Sequence, residues 1–245
     1  MSTSDASGDA DSASDASDAN TDAACQLPTG ALMHVGFDEG TGTMATDPVS
    51  GLVGTLAGAS WRAGRSGTAI EIGGDGATVM EFGPNAAVNM LSPITVCAWV
   101  MADTEPTVNM NVVDKTTNAS VGGWALFLQG SDTSSAVRAG IMGSSGAYKY
   151  GVTDLPLGQW NHICGVWNGN PGVGALRVYH NGVEDDEDMS NAPGGGPYDD
   201  SANPLRIGGN PADGTFTLDG AVDDFILYNR ILAADEIAMI HACPP

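Results

Sequence analysis

The chain has 245 residues, 30 of them acidic and 8 basic, for a formal charge of −22. A polyanion of this kind does not condense on nucleic-acid phosphate or on an anionic lipid surface, so neither is a partner. Glycine, at 34 residues, is about twice as frequent as usual, which indicates a turn-rich, all-β chain rather than a helical one.

Residues 1–24 contain six Asp, no Lys or Arg, and no aromatic or branched aliphatic side chain, in a loose Asp-Ala-Ser repeat. Such a segment cannot offset its conformational entropy by burial and reads as a disordered, solubilising spacer or surface tether. Residues 25–245 read as one folded domain, still acidic at 24 against 8. No run of 18 apolar residues occurs, so nothing spans a membrane as a helix. Met1 opens no signal peptide either, because no basic stretch precedes an apolar one. The expectation is an extracellular or cell-surface protein whose export signal has been removed.

From residue 30 onward, short apolar runs alternate with Gly, Asn, Asp and Pro clusters about every ten residues, the spacing of a two-sheet antiparallel sandwich or jelly roll. The predicted strands are Ala31–Phe37, Thr68–Ile72, Thr78–Phe82, Ile94–Met101, Asn111–Lys115, Trp124–Gln129, Val137–Met142, Trp160–Trp167, Ala175–His180, Leu205–Ile207 and Val222–Tyr228. Both faces of Ile94–Met101 are apolar, which places it inside its sheet. Asn181-Gly182 after Arg177-Val-Tyr-His180 supplies the two positive φ angles of a type I′ hairpin. The one helix expected is Ala233–Ala242, with Asp235 and Glu236 in its first turn and Ile237 and Ile240 on one stripe. Strands without intervening helices leave no βαβ unit.

Four cysteines allow three pairings, and none lies in a C-x-x-C or at zinc-ligand spacing from a histidine. Cys25 opens the folded region and Cys243 nearly closes it. In a sandwich with neighbouring terminal strands they meet, and a bridge there restrains the unfolded chain by roughly 4–5 kcal/mol. That pairing, which implies an oxidising compartment, is favoured over two free thiols at frayed ends.

Phe37-Asp-Glu-Gly40, Asp47 in the loop beyond it, Gly67-Thr-Ala-Ile-Glu-Ile-Gly73, Ile94-Thr-Val-Cys-Ala-Trp-Val100, Gly158-Gln-Trp-Asn-His-Ile-Cys-Gly-Val-Trp167, Leu176-Arg-Val-Tyr-His-Asn-Gly182, Leu205-Arg-Ile-Gly-Gly209 and Gly220-Ala-Val-Asp-Asp-Phe-Ile-Leu-Tyr-Asn-Arg230 stand in a telling order. With the final Ala233-Ala-Asp-Glu-Ile237, the set resembles laminin-G-like, concanavalin-A-like jelly rolls over residues 30–242. The resemblance implies a jelly-roll sandwich with a short C-terminal helix. It also implies a structural calcium between the early loop and the penultimate strand, held by Asp38, Asp47 and Asp223, with Asp224 as the alternative to Asp223 because strand alternation sends only one of them inward. Cys97 and Cys164 fall in strands that the family places in the core, where they either bridge or remain small apolar thiols.

Trp99, Trp160 and Trp167 read as core fillers, and His162 as a buried histidine bonded to backbone. A glucanase of this fold needs two carboxylates about 5 Å apart facing one groove. The nearest match, Glu184-Asp-Asp-Glu-Asp188, lacks apolar alternation and reads as a solvated loop. No G-x-S-x-G, H-E-x-x-H or P-loop is present. The expected function is therefore a non-catalytic module that binds a glycan or a surface protein. Trp124, Tyr148, Tyr150 and Tyr198 are the aromatic candidates for stacking on sugar. The alternatives are a glycoside hydrolase of the same class and a purely structural surface protein.

Overall fold

A computed structural model of the chain describes residues 27–89, 91–117, 122–131, 134–142, 148–170, 175–185, 190–191, 199–210 and 216–243. The spacer, Cys25, Tyr198 and most of the acidic loop lie outside these residues. The strands are β1 (Ala31–Val35), β2 (Met44–Thr46), β3 (Val53–Ala57), β4 (Ser60–Ala63), β5 (Thr68–Gly73), β6 (Val79–Phe82), β7 (Ile94–Ala102), β8 (Met110–Asp114), β9 (Ala125–Ser131), β10 (Ser134–Met142), β11 (Tyr148–Tyr150), β12 (Asn161–Trp167), β13 (Leu176–His180), β14 (Val183–Glu184), β15 (Ser190–Asn191), β16 (Leu205–Ile207) and β17 (Asp219–Tyr228), followed by the helix α1 (Ala234–Ala242).

They form two antiparallel sheets. One runs β14-β13-β12-β7-β17-β5-β4, with β1 also on β17; the other runs β15-β11-β10-β9-β8-β16-β6-β3-β2. This is the expected jelly-roll sandwich with one short C-terminal helix. β7, apolar on both faces, lies between β12 and β17 with every residue buried. Asn181 and Gly182 take φ of 49° and 80° and set His180 opposite Val183, the anticipated hairpin.

The strands that composition did not signal are short or at edges. β3 shows why: its inward residues are Gly54 and Leu56, so one of the two apolar positions is a glycine. A side-chain carbon on Gly54 would come within 2.8 Å of Met80 and Phe82. That contact keeps the position small and erases the alternation a reader would count.

The main core lies between the sheets and contains Leu56, Met80, Val96, Ala98, Val100, Leu126, Leu128, Ile207 and Phe225 among others. A second apolar cluster covers the opposite face of the first sheet, where Val166, Tyr179, Ile226 and Tyr228 meet Leu232, Ile237 and Ile240 of the C-terminal segment. That segment is clamped by Arg230, whose two terminal nitrogens donate to Glu236 at 2.9 and 2.7 Å and to Thr29 O at 3.0 Å, while Glu236 accepts from Ala233 N at 2.9 Å. Fork-on-carboxylate pairing of this kind adds geometric specificity to charge.

Close strand approach depends on Gly220, which has φ of 155° and whose added side chain would lie 2.0 Å from Met101 O. Gly220→Ala is expected to cost about 3 kcal/mol or more through backbone strain and collision, read as a lowered midpoint in chemical denaturation. An unchanged midpoint would contradict the packing of β17 on β7.

Candidate functional site

The first candidate site lies where β17 changes partners. Its first half pairs with β5 and its second half with β1, while β7 runs along the other side. The changeover falls on Asp223 and Asp224: the ladder with β7 slips between Asp223 and Ile226, and Asp224 takes φ of 46°. This bulge cancels strand alternation. The strand alternation behind the expectation of a single inward-facing acid does not hold here, because the ladder slips at Asp223 and Asp224 takes a left-handed φ.

Asp223 is satisfied by backbone. Its Oδ2 accepts from Arg65 N at 2.7 Å and Ser66 N at 3.4 Å, and its Oδ1 from Asp224 N at 3.0 Å. Asp224 is 8% exposed, and neither of its oxygens has a hydrogen-bond partner among the described residues. Asp38 follows Phe37, itself at φ of 54°, and accepts from Thr68 N at 3.2 Å. A side-chain carbon on Gly36 would stand 3.5 Å from Asp38 Oδ2 and 3.8 Å from Asp224 Oδ1, so glycine there keeps a small oxygen-lined space open. Burial, then Asp223 and Asp38, push the Asp224 carboxyl up to about 8; burial pushes Asp223 up to about 6.

Asp47, the remaining acid of the expected set, is fully buried and occupied within its own region. It accepts from His34 N at 2.9 Å, from Val49 N and Ser50 N at 3.0 Å each, and from Ser50 Oγ. It shapes the loop that carries it, and its oxygens have no capacity left to spare.

The second candidate site is the face of the nine-stranded sheet turned away from the core. Residues directly opposite one another in antiparallel strands share a face. Register therefore defines a row from Tyr148 through Met142, Ala125, Asp114, Arg206, Glu81 and Thr55 to Met44. A second row joins Tyr150, Gly140, Phe127 and Asn111. The Tyr148 and Tyr150 rings lie 6.1 Å apart and 9° from parallel, and Tyr148 is 38% exposed. Arg206 Nε donates to Glu81 at 3.0 Å, and its Nη1 lies 3.8 Å from Asp114.

Asp114 is buried and accepts from Thr116 N, Asn111 Nδ2 and Asn210 Nδ2 at 3.0, 2.6 and 3.3 Å. Asn111 Oδ1, Gln129 Oε1 and Thr217 Oγ1 are buried without a hydrogen-bond partner among the described residues. The polar middle of this face was not legible in sequence, where Asp114, Arg206 and Glu81 stand far apart. Trp124, expected as a surface aromatic, is 2% exposed and packs in the inter-sheet core. Tyr198 lies outside the described residues.

Cys97 and Cys164, opposite each other on β7 and β12, form a disulfide. They and His162 are the one tight group of potential metal ligands among the described residues, but the bridge consumes both thiols. His162 is buried, and its ring meets Trp99, His241 and Cys164 Sγ while its Nδ1 has no partner. The expected backbone bond to the ring is replaced by aromatic and sulfur packing. Cys243 is also disulfide-bonded. Asp185, read as part of a solvated loop, is instead 6% exposed and accepts from Thr153 N at 3.1 Å and Thr153 Oγ1 at 2.9 Å. No helix among the described residues is long and apolar enough to cross a membrane.

Domain 4 of the Geobacillus stearothermophilus extracellular arabinanase AbnA, solved with arabinotriose, superposes with a TM-score of 0.60 at 18% identity, covering 85% of this chain and 97% of that one. The binding domain of Paraclostridial Mosquitocidal Protein 1 gives 0.65 at 16%, covering 88% of this chain and 52% of that one. Trypanosoma rangeli sialidase gives 0.60 at 18%, covering 88% of this chain and 33% of that one. These likenesses establish the fold. No curated protein matches the sequence. A family model covering residues 73–238 does match, and with the two-sheet architecture it places the chain in the concanavalin A-like lectin/glucanases superfamily.

Proposed function

We propose that the chain is a non-catalytic module that binds neutral oligosaccharides on the open face of its nine-stranded sheet and is stabilised by calcium at Asp38, Asp223 and Asp224. The observation that carries the glycan reading is the cross-sheet row itself. It puts a stacked tyrosine pair, with Tyr148 exposed, on the same sheet face as Asn111, whose buried Oδ1 has no hydrogen-bond partner among the described residues. Sugars present an apolar ring face and a rim of hydroxyls, which is what such a surface accommodates.

The acidic charge of the domain favours neutral over sulfated or sialylated glycans. That the arabinanase domain was solved with arabinotriose agrees with a neutral ligand class. Arg206 pairs with Glu81 and lies beside Asp114, which ties both acids into one structural network and supports a binding role. A buried disulfide supports an oxidising, extracellular setting.

The acid cluster fits a hard cation, because calcium takes carboxylate and carbonyl oxygens and Asp224 holds two buried oxygens without donors. When bound, the ion supplies positive charge to these oxygens and ties the Asp38 loop to β17.

A glycan array of neutral and anionic oligosaccharides tests the reading, with hits expected among the neutral set. Tyr148→Ala is expected to weaken the best hit about 3- to 10-fold, equivalent to 0.5–1.5 kcal/mol of stacking, with no change in unfolding midpoint. Silence across the array, or an unaffected Tyr148→Ala, would overturn it.

A further inference from the structure

The buried end of β8 carries a second kind of chemistry. Lys115 is fully buried, as is Asp200 at 1% exposure. The Lys115 Nζ lies 3.0 Å from Asp200 O, 3.0 Å from Asn203 O and 2.9 Å from Asn89 Oδ1, with the Asp200 carboxylate at 3.6 Å. Asn89 closes the short 3-10 turn ahead of β7, so three separate stretches of chain converge on one nitrogen.

We propose that Lys115 and Asn89 become joined by an intramolecular amide bond, with Asp200 as the proton carrier. Burial disfavours the ammonium and lowers the Lys115 pKa. Moving one proton from Nζ to Asp200 leaves a neutral amine beside a neutral acid, which removes two charges from the interior. The amine has two N–H groups, and the two backbone carbonyls accept both. In the structure Nζ also donates to Asn89 Oδ1, so the deprotonated amine gives up that third bond and turns its lone pair toward the Asn89 amide.

With Nζ 2.9 Å from Oδ1 and a carbonyl bond of about 1.23 Å, Asn89 Cγ lies within about 4 Å of Nζ, so a side-chain shift of up to about 1 Å brings it to the roughly 3–3.5 Å of a near-attack arrangement. Nζ bonds to Cγ while the Asp200 acid donates to the amide oxygen. The Cγ–Nδ2 bond then breaks: Nδ2 leaves as ammonia with the proton that Nζ gives up through Asp200, the carbonyl re-forms as its oxygen returns the first proton to Asp200, and Asp200 is again the neutral acid. The sum is amine plus primary amide to secondary amide plus ammonia, with no oxidant or cofactor. The product ties the turn before β7 to the end of β8, across a part of the fold that the Cys97–Cys164 bridge does not reach.

Mass spectrometry of the full chain, reduced and denatured, is the test. The expected mass is about 17 Da below that of the sequence, the loss of one ammonia. Trypsin should fail after Lys115 and release residues 66–138 as one fragment carrying the deficit, with no backbone fragment ions between Asn89 and Lys115. Lys115→Arg keeps the charge and should restore the full mass, and Asp200→Asn should leave the bond unformed. A wild-type mass equal to the sequence, a deficit that maps elsewhere, or one that persists in Lys115→Arg would overturn the proposal. None of these outcomes depends on glycan or calcium binding.

Discussion

In the presence of a chelator, the unfolding midpoint is expected to fall as the pH is raised from 7 to 8, and calcium at pH 8 is expected to restore it. The Asp224 carboxyl is raised from 3.8 to about 8, by burial first and then by Asp223 and Asp38. Its folded pKa therefore exceeds its unfolded one, the folded state holds the extra proton between those values, and stability declines as pH climbs through that window. Asp223, raised to about 6, acts in the same sense at lower pH.

The four histidines oppose it. His34, His162, His180 and His241 are all lowered by burial, so their contribution grows with pH and is complete a little above their ordinary value of about 6.5. Over the step from pH 7 to 8 Asp224 outweighs them: it costs about 1 kcal/mol, the last of the histidine titration returns up to roughly 0.1 kcal/mol each, and a net loss of about 0.5 kcal/mol or more, about 1–2 °C or more in a chain of this size, is expected.

On the proposed reading, calcium takes the place of the proton and binds only the folded arrangement, which would add about 2.7 kcal/mol at a hundredfold excess over its dissociation constant. Asp224→Asn removes both the slope and the calcium response, and in chelator at pH 8 it should be more stable than the parent. A chelated parent with a level or rising midpoint across this step would refute the assignment, as would calcium that stabilises Asp224→Asn equally.

Local patterns revealed the elements, and non-local pairing decided the sites. β7 and the Asn181-Gly182 hairpin could be read because their signals sit within ten residues. Asp38 and the 223–224 pair could be named from motif order. Their geometry could not, because it depends on a bulge created where β17 trades β5 for β1. Asp47 shows the converse: its residue type suits a metal, yet a tight turn has used every oxygen. Trp124 looked like a strand-edge aromatic, and only the stacking of two sheets shows that it is enclosed. The row from Tyr148 to Met44 is invisible in sequence because its members come from eight strands that are scattered along the chain. Lys115, Asn89 and Asp200 likewise come together only in the folded molecule.

Replacing both Cys97 and Cys164 by alanine is expected to lower the unfolding free energy by roughly 4 kcal/mol, the loop-entropy value for a cross-link between residues 67 apart. The bridge joins β7 to β12, which are already held together by seven register pairs from Asn161 opposite Val100 to Trp167 opposite Ile94. The native sheet therefore does not need the bond to find its alignment. Its main action is on the unfolded chain, whose accessible conformations it restricts. The variant should keep native circular dichroism and glycan binding while its denaturant midpoint drops with little change at the folded baseline. Both sulfurs are buried beneath the cluster formed with α1, so a thiol reductant should leave the bond intact under native conditions and cleave it once denaturant opens the domain. Rapid reduction of the native protein would contradict this burial. A double variant as stable as the parent would show that the sheet, rather than the unfolded ensemble, sets the stability of this half of the sandwich.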